Sequence, residues 1–260
     1  MKETLYRLLI ELTNGRLTSL LLKRFARSPI SKIIVPSFAR LYHLNLDEME
    51  KKLEEFPTLH DLFVRKLKAG AREIHPDAAT VTSPVDAVLE DSGKINDTCE
   101  LFVKGKRYAV AEMLGDQSAI KKYINGTYLI LYLSPSHYHR IHSPVTGVVE
   151  KRWTLGKKSF PVNKWGLQYG KSPLAKNYRM ITEIKTQFGF VAVVKVGAMF
   201  VNSIEVSHLG ESVKKGEEMA YFSFGSTVVL LFEKDIFQPE SALEPPVELK
   251  VGEKIGYFSC

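Results

Sequence analysis

The sequence predicts an α+β protein, with N-terminal amphipathic helices followed by a β-rich, barrel-like or sandwich body built from hairpin repeats. Three observations predict it. Leucines near the N-terminus recur at helical spacing. From about residue 80, short β-branched and aromatic runs ("TYLILYLS", "FGFVAVVKVG", "STVVLLFE") alternate with Gly, Pro and Asn. Two pairs of segments also echo each other. "SPVDAVLEDSG" (83–93) and "SPVTGVVEKRW" (143–153) share Ser-Pro-Val-x-x-Val, and "VKKGEEMAYFS" (213–223) matches "LKVGEKIGYFS" (249–259) at an offset of 36.

Within residues 1–13, Leu5, Leu8, Leu9 and Leu12 line one face of a helix that Asn14-Gly15 interrupts. A second helix carries Leu17, Leu20, Leu21 and Phe25 beside Lys23, Arg24 and Arg27, and Ser28-Pro29 ends it. The apolar patch "IIVPSF" (33–38) follows. Two further helices are expected, over "NLDEMEKKLEEF" from an Asn45 cap and over "PTLHDLFVRKLK" from Pro57. Residues 1–70 therefore read as a helical membrane-associating region and 71–260 as a β-rich catalytic domain.

Charge supports that division. The net charge is +7, yet eight basic and two acidic residues up to position 43 account for nearly all of it. Leucine faces flanked by Lys and Arg suit an anionic membrane surface, and no run approaches the roughly 20 apolar residues of a spanning helix. Aromatic residues do not interleave with the basic ones, which argues against nucleic acid as a partner. Cys99 and Cys260 are too few for a disulfide framework.

"SPSHYHRIHSP" (134–144) holds His137, His139 and His142, three of the seven histidines. H-x-H-x-x-H is compatible with a metal, although strand parity would send His142 to the opposite face from the other two. Nucleophilic catalysis needs a hydroxyl, a base and a carboxylate. Ser226 stands between Gly225 and Thr227 ahead of "VVLLF", and the shared Ser-Pro-Val frames bring Asp86 towards His142. Gly-x-Ser-x-Gly is absent, so no α/β-hydrolase elbow is indicated. A metal site, a serine nucleophile and plain strand-end histidines all stay open on these residues alone.

Taken together, "TLHDLFVRKLK" (58–68), "SPVDAVLEDSG" (83–93), "VKGKRY" (103–108), "YHRIHSPVTG" (138–147), "VGAMFVNSI" (196–204) and "KKGEEMAYFSFGST" (214–227) resemble the phosphatidylserine decarboxylases. The resemblance spans about residues 40–235. It implies that His142 with Asp86 activates Ser226, whose oxygen attacks the Gly225 carbonyl. The chain is then cut between 225 and 226 into a β chain (1–225) and an α chain (226–260). Ser226 becomes a covalent pyruvoyl cofactor that forms a Schiff base with phosphatidylserine, and no metal is implied. His139 matches the family histidine important for decarboxylation, while His137, where some members carry Asp, receives no role. The products would be phosphatidylethanolamine and carbon dioxide. The expected location is peripheral, on the cytoplasmic face of the cell membrane. The cleaved chains would stay together as a heterodimer, with a higher oligomer left open. "NYRM" (177–180) and Asn202 depart from the family pattern, which keeps two alternatives: a pyruvoyl decarboxylase of another amino substrate, or a lipid-surface serine hydrolase.

Overall fold

The computed structural model describes residues 16–198, 204–223 and 226–259. The expected first helix (1–13) lies outside the described residues. Among the described residues three helices precede the first strand: α1 (Arg16–Ala26), α2 (Val35–Leu41) and α3 (Leu59–Phe63), with a 3-10 turn at Pro29–Ile34. Helix α1 ends ahead of Pro29, as the Ser28-Pro29 pair predicts. Ser31 ties this region together. Its hydroxyl donates to the Ala26 carbonyl (3.0 Å) and accepts from the Leu59 amide (2.9 Å). Leu21, Phe25, Ile30, Ile33 and Leu41 remain exposed on α1, the 3-10 turn and α2. Among the described residues no helix is long and apolar enough to cross a membrane.

The helix expected from Asn45 does not form. The Asn45 side chain accepts from the Asp47 amide, a local bond that competes with helix initiation. Buried Met49 then pairs with Leu67 in an isolated bridge, leaving only a 3-10 turn at Leu53–Glu55. That bridge also draws Leu67 out of the helix expected from Pro57. Helix α3 starts instead behind Thr58, whose hydroxyl accepts from the Asp61 amide, and stops at Phe63.

Among the described residues sixteen strands follow. They are β1 (Thr80–Thr82), β2 (Ala87–Lys94), β3 (Glu100–Val103), β4 (Lys106–Ala109), β5 (Thr127–Leu133), β6 (Arg140–His142), β7 (Gly147–Leu155) and β8 (Arg179–Lys185). The remainder are β9 (Phe190–Gly197), β10 (Ile204–Val206), β11 (Ser212–Val213), β12 (Glu218–Phe222), β13 (Ser226–Phe232), β14 (Phe237–Pro239), β15 (Val247–Leu249) and β16 (Lys254–Phe258). Eight form one sheet in the order β11-β7-β8-β9-β13-β5-β2-β15, with β11 and β15 as free edges. The sheet-rich α+β body is as expected, but the sheet is open rather than closed into a barrel. One face, carrying Leu131, Val193, Val228 and Leu230, packs against two three-stranded sheets, β6-β12-β10 and β1-β16-β14. The other, carrying Ile130, Val194, Val229 and Leu231, packs against short helices such as Val110–Leu114 and Pro173–Lys176.

The sequence echoes are structural repeats. Strand β12 pairs with β6 through Tyr221↔Arg140 and Glu218↔His142, and β16 pairs with β1 through Tyr257↔Thr80 and Lys254↔Thr82. A bulge interrupts both ladders at the equivalent place. The Ser143 amide donates to Glu217 O (2.8 Å) and the Gly216 amide to Ser143 O (2.8 Å). The copy repeats these bonds from Ser83 to Glu253 O and from Gly252 to Ser83 O. Gly216 and Gly252 both take φ near +80° to +90°, the left-handed region where glycine costs nothing, and Ile74 crowds the space of both absent Cβ atoms. The two Ser-Pro-Val frames clasp each other, the His142 amide donating to Pro84 O (2.8 Å) and the Thr82 amide to Pro144 O (3.1 Å). An approximate two-fold therefore relates β2, β5 and β13 to β7, β8 and β9, its axis falling between β9 and β13.

Candidate active site

Ser226 opens the central strand β13, opposite Leu133 of β5 on one side and Gly197 of β9 on the other. Side chains alternate along β13, so Ser226 shares a face with Val228 and Leu230, towards the three-stranded sheets. Its hydroxyl is fully buried and has no hydrogen-bond partner among the described residues. A buried hydroxyl normally finds one, so an orphan at the head of a strand calls for a reason other than packing. Gly225, the other side of the expected cleavage bond, lies outside the described residues.

His142 ends β6. A carbonyl can only accept, so the 2.8 Å contact between Nδ1 and Gly216 O places the proton on Nδ1 and leaves Nε2 as the basic atom of the neutral ring. The Tyr138 hydroxyl is 3.4 Å from Nε2. Burial lowers the His142 pKa below the ordinary histidine value, which keeps the ring neutral near pH 7. The ring's orientation thus comes from the repeat glycine's carbonyl. Asp86 has other partners: Arg72 donates through Nε (2.8 Å) and Nη2, and the Val251 amide donates at 2.9 Å. Arg72 also bonds Glu48 (2.9 Å), so Asp86 forms the buried end of a Glu48–Arg72–Asp86 chain and acts on His142 through its field. The clasped frames do bring the Asp86 and His142 segments together.

His139 is wholly buried. Its Nδ1 faces His137 O at 2.9 Å, its ring leans on Phe63 (centroids 4.0 Å), and its Nε2 has no partner among the described residues. By the same reasoning as for His142, Nε2 is bare and basic. Burial, with Arg65 adding to it, holds the pKa far below the ordinary value. His139 O accepts from the Phe222 amide (3.0 Å), four residues ahead of Ser226. His137 turns elsewhere, with Nδ1 accepting from the Ser134 amide (3.0 Å) and Nε2 3.1 Å from Glu248. The three imidazoles therefore have three separate sets of partners. Among the described residues no group of three or more His, Cys, Asp or Glu is placed to hold a metal ion.

Sequence reasoning assigned no role to Arg72, Tyr138 or Gly216. The Gly216 signal was present, as the invariant glycine of the 213–223 and 249–259 echo. Arg72 and Tyr138 carried none, because their importance rests on contacts across 14 and 4 residues that no local pattern marks.

The family model described as phosphatidylserine decarboxylase matches residues 59–257. The chain is 59% identical to the phosphatidylserine decarboxylase proenzyme of Geobacillus kaustophilus, covering 99% of this chain and 98% of that one. It is 58% identical to the proenzyme of a Geobacillus species (99% and 100% covered) and 57% identical to that of Bacillus cereus (98% and 97%). The chain belongs to the phosphatidylserine decarboxylase family.

Proposed function

We propose that this chain is a self-cutting proenzyme that decarboxylates phosphatidylserine to phosphatidylethanolamine, using a pyruvoyl group made from Ser226. The observation that carries the reading is the orphaned Ser226 hydroxyl, sealed at the head of β13 opposite Leu133, from which the chain runs on to His139 and His142. A hydroxyl shut away from solvent has only its own chain to attack, which also disfavours the serine hydrolase alternative.

His142 Nε2 accepts the Ser226 proton as the oxygen adds to the Gly225 carbonyl, and the peptide bond shifts from nitrogen to oxygen as an ester. Loss of the Ser226 α-proton expels Gly225 as a carboxylate, and hydrolysis of the resulting dehydroalanine releases ammonia. Asp86, held by Arg72 and the Val251 amide, stabilises the imidazolium through its field. The buried, orphaned position of Ser226 suits a keto group, which needs no donor of its own. When formed, that group supplies the electron sink that no ordinary side chain offers. His139 Nε2, bare in the resting ring, takes up a solvent proton and passes it to the carbon that has lost carbon dioxide, its ring fixed by His137 O and Phe63. Cutting leaves 1–225 and 226–260 as one heterodimer, because β13 is hydrogen-bonded along its whole length to β5 and β9.

The N-terminal region meets the substrate in the bilayer. Exposed Leu21, Phe25, Ile30, Ile33 and Leu41 would enter the interface, and Lys23, Arg24, Arg27, Lys32 and Arg40 would face anionic headgroups. On this reading the protein sits peripherally on the cytoplasmic face of the cell membrane. Carbon dioxide release from phosphatidylserine in mixed micelles tests the activity. Borohydride, which reduces a ketone and spares a serine, should abolish it; turnover that survives borohydride would contradict the pyruvoyl reading.

A further inference from the structure

Arg65 follows α3 in "LFVRKL" and is 5% exposed. Its Nη2 donates to Ser136 O (2.8 Å) and His137 O (3.1 Å), while Nε and Nη1, both inaccessible to solvent, find no acceptor among the described residues. Dry, unpaired N–H groups on a cation cost more than neutral orphans, and burial already pulls the guanidinium pKa down to about 10. The nearest carboxylate influence is Asp86, but Arg72 occupies that group.

The position is informative. The loop that Arg65 grips runs from Leu133, the register partner of Ser226, to His139. His137 O accepts from both Arg65 Nη2 and His139 Nδ1, so guanidinium and imidazole share one anchor. The unpaired Arg65 donors and the bare His139 Nε2 therefore flank one anchor, on the loop that leaves the register partner of Ser226.

We propose that Arg65 is the receptor for the substrate's phosphodiester, its Nε–H and Nη1–H donating to the non-bridging oxygens while the serine amine engages residue 226. This rests on the decarboxylase reading above. The carboxylate is the poorer occupant. It must lose its charge as carbon dioxide leaves, and a guanidinium clamped on it would stabilise the ground state and oppose the step. The phosphodiester keeps its charge throughout, so binding it favours ground and transition states equally and is read in KM. In the uncut chain the donors are covered, so Arg65 receives the headgroup only in the cut form.

The test compares processed wild type with Arg65→Gln and Arg65→Lys on two substrates in the same nonionic micelles. One is phosphatidylserine; the other is an O-acylserine, which keeps amine and carboxylate and lacks phosphate. Arg65→Gln should raise KM for phosphatidylserine by about 10- to 100-fold, with kcat little changed and the O-acylserine unaffected, and Arg65→Lys should fall between. Equal losses on both substrates would overturn the proposal by pointing to the carboxylate or to His139 positioning, as would an unchanged KM. Failure of both variants to self-cut would overturn it as well, by assigning Arg65 to maturation. Failure of the wild type to self-cut would instead defeat the decarboxylase reading itself.

Discussion

The two halves of the sheet share a backbone and differ in chemistry. Where the active half has His142, the other has Thr82; where one frame has Asp86 accepting from the Val251 amide at 2.9 Å, the other has Thr146 accepting from the Lys215 amide at 3.0 Å. Register also matches Ser226 with Gly189, which follows the tight β8–β9 hairpin turn. The chain closes that hairpin locally in one half. In the other half β5 departs towards the histidines, and β13 arrives 93 residues later with Ser226 at its head. The site is thus one end of a repeated scaffold in which an open hairpin replaces a closed one and two threonine positions have become His and Asp. The bulges, the glycine turns and the clasped frames belong to the scaffold, and the proposed reactivity comes from where the halves disagree.

That comparison can be broken by making the halves alike. His142→Thr installs the residue of the silent half on a backbone already suited to it. Cutting should slow by about 10²- to 10⁴-fold, the range for loss of a general base, with the fold retained. Thr82→His should leave the cutting rate unchanged. Gel densitometry over time reads both, and normal cutting by His142→Thr would remove His142 as the base. His139→Ala separates the two reactions. Cutting should stay near the wild-type rate while turnover of phosphatidylserine falls by about 10²- to 10⁴-fold. A block in cutting would show that the two histidines have been given each other's roles.

Asp86→Thr copies Thr146 and keeps an acceptor for the Val251 amide, but leaves Arg72 with Glu48 alone. Cutting should slow by about 10-fold or more, and urea denaturation should show a loss of about 2 kcal/mol for the charged hydrogen bonds. A stable, normally cutting variant would make the Glu48–Arg72–Asp86 chain irrelevant to the site.

Acidity gives the smallest effect. Burial lowers the His142 pKa, so the base stays neutral and the cutting rate should hold from about pH 8 to 6.5, declining only below that. A decline that begins above the ordinary histidine value would contradict the burial argument. His139 and His142 both bind protons less readily folded than unfolded. The unfolded chain therefore takes up protons first as pH falls through about 6.5, and stability is lost there and kept above it.

Much of this was legible in the sequence. The 36-residue echo and the Ser-Pro-Val frames foretold the repeated sheets and brought Asp86 to His142, because turn glycines and strand entries leave local signatures. The Asn45 helix failed because Met49↔Leu67 is a tertiary pairing that overrides helix propensity. A barrel-like or sandwich body was expected from hairpin modules, and packed open sheets are found, because closure into a barrel depends on edge registers that no single strand encodes. The orienting bond on His142 is made by Gly216 O rather than by a carboxylate, since a backbone carbonyl has no residue identity to read.

The central claim is that Ser226 cuts its own chain and becomes a ketone. The intact mass of the purified wild type under denaturing conditions, measured beside Ser226→Ala, tests it most directly. The account predicts two wild-type species, 1–225 and a 226–260 fragment lighter by one ammonia than a serine-started peptide, and a single uncut mass for Ser226→Ala. A wild type that stays at one full-length mass after long incubation, or a fragment that keeps its serine, would contradict it.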